Sequence, residues 1–339
     1  IKKAKTSIDN ETRVTVAATG QVRQTGAGTV AGSDAAVLMA ATDETNVRTR
    51  LVATDGVKVP AVGRTLDLPG MLNPFALSAE QTVKRVTAVD LGLAADATLP
   101  ATAPDAAAAK IVDAAGAVAL QAGNSGVITT RIRAATEAPD PTNATKQIAG
   151  DGGDGLDGEP DDNSLPAPIK TGYADTTVDD TVRVAVRGVS LAAASLRAAA
   201  GNDTSVESRA IQAQNALKGS TTATAAASRL LARTGSVSVT AIDTATASAI
   251  AEPVDTDTLR DTTTAGMTPE QLAAQAAQEK KEREFLGLGR GSAINLAERD
   301  VTAALTASET SAAADVTLIA QNALELTAEA QATGVASIL

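Results

Sequence analysis

Residues 206–231, VESRAIQAQNALKGSTTATAAASRLL, carry the clearest periodicity in the sequence. Small or apolar residues recur there at alternating steps of four and three positions, which is the heptad spacing of a helix in a coiled coil. The positions are Val206, Ala210, Ala213, Leu217, Ser220, Thr224, Ala227 and Leu231. The stretch therefore predicts a long helix with a narrow apolar seam.

A second stretch, residues 301–330, has the same kind of spacing near the end of the chain, with one four-residue stutter. Its seam positions are Val301, Leu305, Ser308, Ala312, Val316, Ile319, Ala323, Leu326 and Ala330. Small side chains in both seams would let two helix backbones approach closely. These helices are predicted to pair with each other or with copies of themselves, so that the two seams form an assembly interface.

The composition favours association between like chains. Hydrophobic residues make up 44% of the 339 residues, yet aromatic residues are only 1%. Burial of apolar surface is worth roughly 25 cal/mol per Å², so a core made largely of alanine stabilises a monomer weakly. Packing against neighbouring subunits is expected to supply the missing stability.

Charge and missing residue types exclude several functions. The formal net charge of −11 argues against a protein that binds nucleic acid through a basic face. The absence of Cys removes disulfides and thiolate metal sites, and the absence of His removes Ser-His-Asp catalysis and histidine-ligated zinc. An enzyme would have to use carboxylates, Lys, hydroxyl groups or Tyr173. We predict that the protein is not an enzyme.

No membrane span is predicted. The longest candidate apolar run, residues 106–120, is interrupted by Lys110 and Asp113 and falls short of the ~18 residues that a spanning helix needs. The first residues, IKKAK, lead into a polar stretch, which predicts no cleaved secretory signal. The seams and the alanine-rich core instead indicate copies of the same chain as the expected partners.

The first half of the chain reads as β structure followed by mixed structure. Residues 1–75 form a β-rich segment, with strands at residues 12–16 and 47–53 and a hairpin turn at Asp55-Gly56. Residues 76–150 form a mixed segment. Ser78 and Gln81 resemble a capping box that opens a helix to about Leu93. A second helix is predicted over residues 105–121 and a strand over residues 127–132.

The second half reads as increasingly helical. Residues 151–168 form an acidic, glycine-rich loop or linker, and residues 169–204 contain a strand at 181–187 and a short helix at 191–200. Residues 205–339 form the long-helix assembly domain, which includes a strong helix start at Thr268. The predicted fold class is therefore α+β, with a β-rich outer part and long paired, coiled-coil-like helices in the C-terminal half.

The acidic loop contains the one candidate metal site. Gly152-Gly153-Asp154-Gly155-Leu156-Asp157 matches the calcium-binding turn of β-roll repeats once. Ca²⁺ takes six to eight oxygen ligands, and the candidate carboxylates are Asp151, Asp154, Asp157 and Asp161. Because the motif is not repeated, a solvated acidic loop is the favoured interpretation, and Ca²⁺ is the only cofactor considered.

The helical half resembles bacterial flagellin. The segment AQNALKGS at residues 213–220, then Arg229-Leu230, Gly235 and the segment AIAE at residues 249–252, follow the order of the family's N-terminal helix. Leu286-Gly287, Arg290 and the segment SAINL at residues 292–296 are similar to its C-terminal region, and residues 319–339 to its terminal helix. The resemblance implies a filament subunit whose terminal helices pair in a tube core, with export that needs no cleaved signal.

Three structural functions therefore stay open. The first is a self-assembling, flagellin-like filament subunit in an extracellular filament or surface assembly. The second is a virion structural protein, either a major capsid or a tail protein. The third is a calcium-dependent surface-layer protein, whose layer a chelator would dissociate into monomers.

Overall fold

The computed structural model describes residues 2–53, 76–134, 171–251 and 292–330, apart from Ala27, Ala107 and Ala109. Every helix or strand within those ranges is a β-strand. The prediction of an α+β fold with long paired helices is therefore wrong. Those parts of the predicted long helices that lie within the described residues are β-strands. The predicted helix at Thr268, the hairpin at Asp55-Gly56 and the acidic loop lie outside the described residues.

The strands follow one another in five coils of the chain. Coil 1 contains β1 (Lys2–Ala17), β2 (Val22–Gln24), β3 (Val37–Glu44) and β4 (Val47–Ala53), and coil 2 contains β5 (Ala76–Gly92), β6 (Lys110–Ala114) and β7 (Val118–Ala134). Coil 3 contains β8 (Thr171–Arg187), β9 (Ser190–Ala193) and β10 (Leu196–Ala210), and coil 4 contains β11 (Gln212–Ala226), β12 (Arg229–Ala232), β13 (Val237–Asp243) and β14 (Thr246–Ala251). Coil 5 contains β15 (Ser292–Thr306), β16 (Glu309–Ala312), β17 (Val316–Asn322) and β18 (Glu325–Ala330).

Corresponding strands of successive coils pair in parallel and form three sheets. Sheet A stacks β1, β5, β8, β11 and β15, and sheet B stacks β2, β6, β9, β12 and β16. Sheet C stacks β3 and β4 on β7, then β10, then β13 and β14, then β17 and β18. A chain that passes through sheets A, B and C once per coil, with parallel pairing between coils, is a parallel β-solenoid.

Alternation between buried and exposed residues explains the strands. In β8, Val182, Val184 and Val186 point into the solenoid, as strand periodicity requires. The strands predicted over residues 12–16, 47–53, 127–132 and 181–187 are confirmed. The predicted helices over 78–93, 105–121 and 191–200 are wrong, since those residues belong to strands and to the loops that join them.

The first part of the heptad, residues 206–217, arises from a chain corner. Val206 and Ala210 are both buried in β10, because a step of four residues returns to the same face of a strand. Ile211 joins β10 to β11 and shifts the alternation by one residue. The step of three from Ala210 to Ala213 crosses that corner, and Leu217 then follows on the buried face. Two strands around a corner thus imitate a helical repeat.

In several inward columns, residues of the same type recur at the same level in every coil. One column of sheet A is alanine throughout: Ala4, Ala79, Ala174, Ala213 and Ala293. Columns of sheet C repeat a Val or Leu at Val37, Val118, Leu196, Val237 and Val316, an alanine at Ala41, Ala122, Ala200, Ala241 and Ala320, and an Asn or Asp at Asp43, Asn124, Asn202, Asp243 and Asn322. Much of the core is therefore a set of ladders of like residues. One column of sheet A is mixed, with Asn10, Arg85, Asp180, Gly219 and Arg299 at the same level.

Connections between coils differ greatly in length. Ile211 alone joins coil 3 to coil 4, whereas the other three coil-to-coil connections contain residues 54–75, 135–170 and 252–291. Within coil 2, a long loop joins β5 to β6 and lies along later coils. Arg187 of coil 3 donates to its Ala95 carbonyl at 2.9 Å, and Arg229 of coil 4 donates to its Pro104 carbonyl at 3.0 Å.

Candidate functional site

A fully buried charged cluster lies at mid-length of the long strands. Arg85 and Asp180 face inward from β5 and β8, and neither is exposed to solvent. Arg85 donates through Nε and Nη2 to both carboxylate oxygens of Asp180 at 2.8 Å, and through Nη2 to the Thr204 hydroxyl at 2.5 Å. The two-point geometry and the added hydroxyl offset much of the cost of desolvating the pair.

The charged cluster continues through the later coils. Arg299 of coil 5 donates through Nε and Nη2 to one carboxylate oxygen of Asp243, at 2.9 and 2.5 Å. Its Nη1 lies 3.9 Å from Asp180, and Asn202 donates to Asp243 at 3.1 Å. At the other end, Asp43 of coil 1 approaches Arg85 at 3.7 Å. We refer to Asp43, Arg85, Asp180, Asp243 and Arg299 as the buried charge layer.

Two glycines shape the backbone beside the buried arginines. Gly126 and Gly219 have φ of +124° and +119°, a conformation that residues with a Cβ rarely adopt. Arg85 donates to the carbonyl of Ser125, immediately before Gly126, at 2.7 Å. Arg299 donates in the same way to the carbonyl of Lys218, immediately before Gly219, at 2.8 Å. The glycines let these carbonyls face the guanidinium groups.

A second polar layer consists of uncharged side chains. Thr130 donates to Gln81 at 2.7 Å, and the Thr176 hydroxyl bonds to Thr130 at 2.6 Å. Ser208 donates to Asn215 at 2.7 Å, and Asn215 donates to Asn295 at 2.9 Å. The chain of bonds links coils 2 to 5, so it fixes the level at which each coil stacks on the next.

Neither layer has the properties of an active site. Their charged and polar side chains lie between sheets A and C, and all of them except that of Asn295 are buried. An apolar void of about 20 Å³ near Leu120, Val186 and Leu196 holds one water molecule at most. Within the described ranges, no group of three or more acidic side chains is placed to hold a metal ion.

Perturbed carboxyl groups lie on the outer face. Hydrogen bonding from Lys3 lowers the pKa of Glu80, and hydrogen bonding from Arg233 lowers the pKa of Asp113. Partial desolvation, followed by repulsion from Glu80, raises the pKa of Asp175. The lowered pKa values of Glu80 and Asp113 reflect ion pairs between coils, whereas the raised pKa of Asp175 reflects its partial burial beside another carboxylate.

Arginines also stack on the side of sheet C that faces away from the core, where Arg131 is nevertheless only 2% exposed. Arg50, Arg131 and Arg209 occupy the same register position in coils 1, 2 and 3. Glu207 accepts from Arg131 at 2.8 Å and lies 2.6 Å from Nε of Arg209. Sequence reasoning missed this stack because the three residues are far apart in the chain and only the register of the sheet brings them together.

The surface of coil 5 carries most of the exposed large apolar side chains among the described residues. Its exposed apolar residues, between 42% and 54% exposed, are Ile294, Leu296, Val316, Leu318, Ile319 and Leu326. Every strand of coil 5 pairs with coil 4, and within the described residues its other edge has no partner. Unpaired edges beside apolar side chains favour the addition of further strands.

The predicted assembly seam is divided between the core and this surface. Val206, Ala210, Ala213 and Leu217 are buried inside the solenoid. Leu231, Val301 and Leu305 are half-buried, whereas Val316, Ile319 and Leu326 are exposed on coil 5. The seam residues therefore do not form one helical stripe. The four candidate calcium ligands, Asp151, Asp154, Asp157 and Asp161, lie outside the described residues.

Comparisons with known proteins do not assign the chain to a family. No family model, curated protein or solved structure matches it. The flagellin resemblance is wrong, because its motif segments at residues 213–220 and 292–296 are strands of sheet A, where the family needs helices. The coiled-coil prediction is wrong for the same reason. None of the described residues forms a helix that could span a membrane.

Proposed function

We propose that the protein is a structural, self-assembling subunit of an extracellular filament or surface assembly. The observation that carries this proposal is the surface of coil 5, where strand edges that are unpaired among the described residues lie beside exposed Leu318 and Leu326. A monomer seldom leaves such an edge accessible, because it invites strand addition. The closed interior supports the same role, since its polar residues bind one another and stiffen the coils.

A long solenoid suits a structural role because each coil contacts mainly its neighbours. Stability then increases with every coil or subunit that is added to the stack. Association that covers the surface of coil 5 would also supply apolar burial that an alanine-rich core lacks.

The test is whether the purified full-length protein associates. Sedimentation velocity over a range of concentrations should show species larger than the monomer, and negative-stain imaging should show elongated particles. A monomer at every concentration would contradict the proposal. Closed shells or rings would favour a virion protein instead, and dispersal of sheets by a chelator would favour a calcium-dependent surface layer.

A further inference from the structure

We propose that subunits join head to tail, with coil 1 of one copy stacked on coil 5 of another as a sixth coil of the same solenoid. This inference rests on the proposed self-assembly and specifies the surface and the partner. In both coils, the strands of all three sheets pair on one side only within the described residues. Parallel pairing across the junction would extend all three sheets.

The two ends match in strand length and layout. In sheet A, β15 has 15 residues and β1 has 16. In sheet C, the strand is divided at the same level in both coils, as β17 and β18 with 7 and 6 residues, and as β3 and β4 with 8 and 7. Neither end carries an extra residue within these strands that would shift the register.

Inward-facing residues also match across the junction. Continuing the columns of sheet C from coil 5 to coil 1 brings Val316 to Val37, Leu318 to Met39, Ala320 to Ala41 and Asn322 to Asp43. Each pair belongs to the class that its column carries through all the coils between. The end of coil 5 thus fits coil 1 by the same residue types that fit coil 4 to coil 5.

Charges on the outer faces set the strength of the contact. In sheet C, continuing the column of Arg50 and Arg131 brings Glu329 of one copy next to Arg50 of the other, an opposite-charge pair. In sheet A, Glu298 meets Asp9 and Asp300 meets Glu11, so like charges lie side by side. Like charges opposite one another destabilise strand pairs, so the junction is expected to be reversible.

A tail-to-tail dimer adds a like-charge contact at Arg299, which in the head-to-tail junction meets the uncharged Asn10. If two copies of β15 paired antiparallel about their midpoint, Arg299 would face Arg299 of the other copy. Glu298 would then face Asp300. This arrangement would also close after two subunits, whereas head-to-tail stacking repeats without limit and gives a filament.

The first experiment places a charge in the apolar surface of coil 5. Leu318→Asp and Leu326→Asp should abolish association, because each puts a carboxylate where the next coil would pack. Tyr173→Asp is the matched control, since Tyr173 is 43% exposed in coil 3, far from either end, and Leu318 and Leu326 are 44% and 43% exposed. Circular dichroism and thermal melting should show that all three variants fold.

The second experiment reverses the charges at the junction. Arg50→Glu and Glu329→Arg should each raise the concentration at half-association about tenfold, because an opposite-charge pair becomes a like-charge pair. The double variant, which restores an opposite-charge pair at every junction, should recover wild-type association. Replacing Asp9 and Glu11 together by Lys should lower the half-association concentration.

The outcomes separate the two proposals. Association that persists in Leu318→Asp and Leu326→Asp, or an assembly that stops at the dimer, overturns the head-to-tail junction and leaves self-assembly standing. Failure of the double charge reversal to recover association also overturns the junction. A wild-type protein that stays monomeric at every concentration overturns both.

Discussion

Gly126 and Gly219 occupy inward positions where a side chain would collide with the neighbouring coil. A Cβ on Gly219 would lie 2.0 Å from the carbonyl oxygen of Asp180, and one on Gly126 would lie 2.2 Å from that of Thr45. Both glycines also have positive φ. At the scale of single residues, the buried charge layer therefore depends on two positions without side chains.

Gly219→Ala should destabilise the protein by about 2 kcal/mol or more, because it combines the collision with a left-handed backbone. Chemical denaturation at neutral pH measures the change. Gly201→Ala is the matched control, since no atom lies within 4 Å of the added Cβ and Gly201 has no positive φ. The control should change stability by about 1 kcal/mol or less. Equal effects in the two variants would contradict this account.

The types of single residues explain why some strands could be predicted from the sequence and others could not. Val182, Val184 and Val186 alternate with polar or small residues, and only a strand accounts for that pattern. Alanine carries no such information, because it fits helices well and is also tolerated inside a narrow solenoid. Gly126 and Gly219 gave no signal either, since their role depends on an arginine in a distant strand.

At the scale of elements, strands β5 and β8 are joined by two similar ion pairs, one on the inner face of sheet A and one on its outer face. Arg85 and Asp180 form the inner pair, which is fully buried. Arg183 and Asp90 form the outer pair, with bonds of 2.9 and 2.7 Å and with 28% and 19% of the side chains exposed. The geometry is alike and the solvent exposure differs, so the pairs separate the effect of burial from that of contact.

Arg85→Met should cost about 3 to 5 kcal/mol, because it leaves Asp180 buried without its main partner. Arg183→Met should cost about 1 kcal/mol or less, since water screens the outer pair. The double variant Arg85→Met with Asp180→Leu should be less destabilised than the sum of the two single changes. Denaturant titration of all four variants measures these differences, and additive effects for the inner pair would contradict strong coupling.

Elements also show why the fold escaped prediction. Several inward columns repeat a residue type in every coil, but residues 54–75, 135–170 and 252–291 separate their members by unequal distances along the chain. A fixed period is therefore absent, and a fixed period is the usual sequence signature of a solenoid. Coils 3 and 4, joined by Ile211 alone, are the one place where two repeats follow directly. Their corner produced the first part of the false heptad.

The role of the predicted seam residues in assembly stays a prediction, but the helical geometry assigned to them is wrong. The exposed residues Val316, Ile319 and Leu326 were included in the assembly seam, but on a helical stripe that does not exist. The buried charge layer was not predicted at all. Its five members come from five different strands, and only the parallel register brings them together.

At the scale of the whole molecule, coil-to-coil connections are expected to tolerate insertions. A short Gly/Ser linker placed after Ile211 should cost about 1 kcal/mol or less, because lengthening a surface connection adds little closure entropy. The same linker between Thr221 and Thr222, inside β11, should unfold coil 4, since Thr221 is buried and pairs in register with Val182 and Val301. Thermal melting of the two variants compares them directly, and equal loss of stability would count against this view.

The loop between β5 and β6 has a consequence for how the molecule would yield to a mechanical load. A solenoid pulled from its C-terminal end peels one coil at a time. Within the described residues, coil 5 makes no hydrogen bond to this loop. Coil 4 is bound to it by the hydrogen bond from Arg229 to the Pro104 carbonyl, and coil 3 by the one from Arg187 to the Ala95 carbonyl. The loop thus acts as a strap, and we expect the force to rise once the first coil has come away.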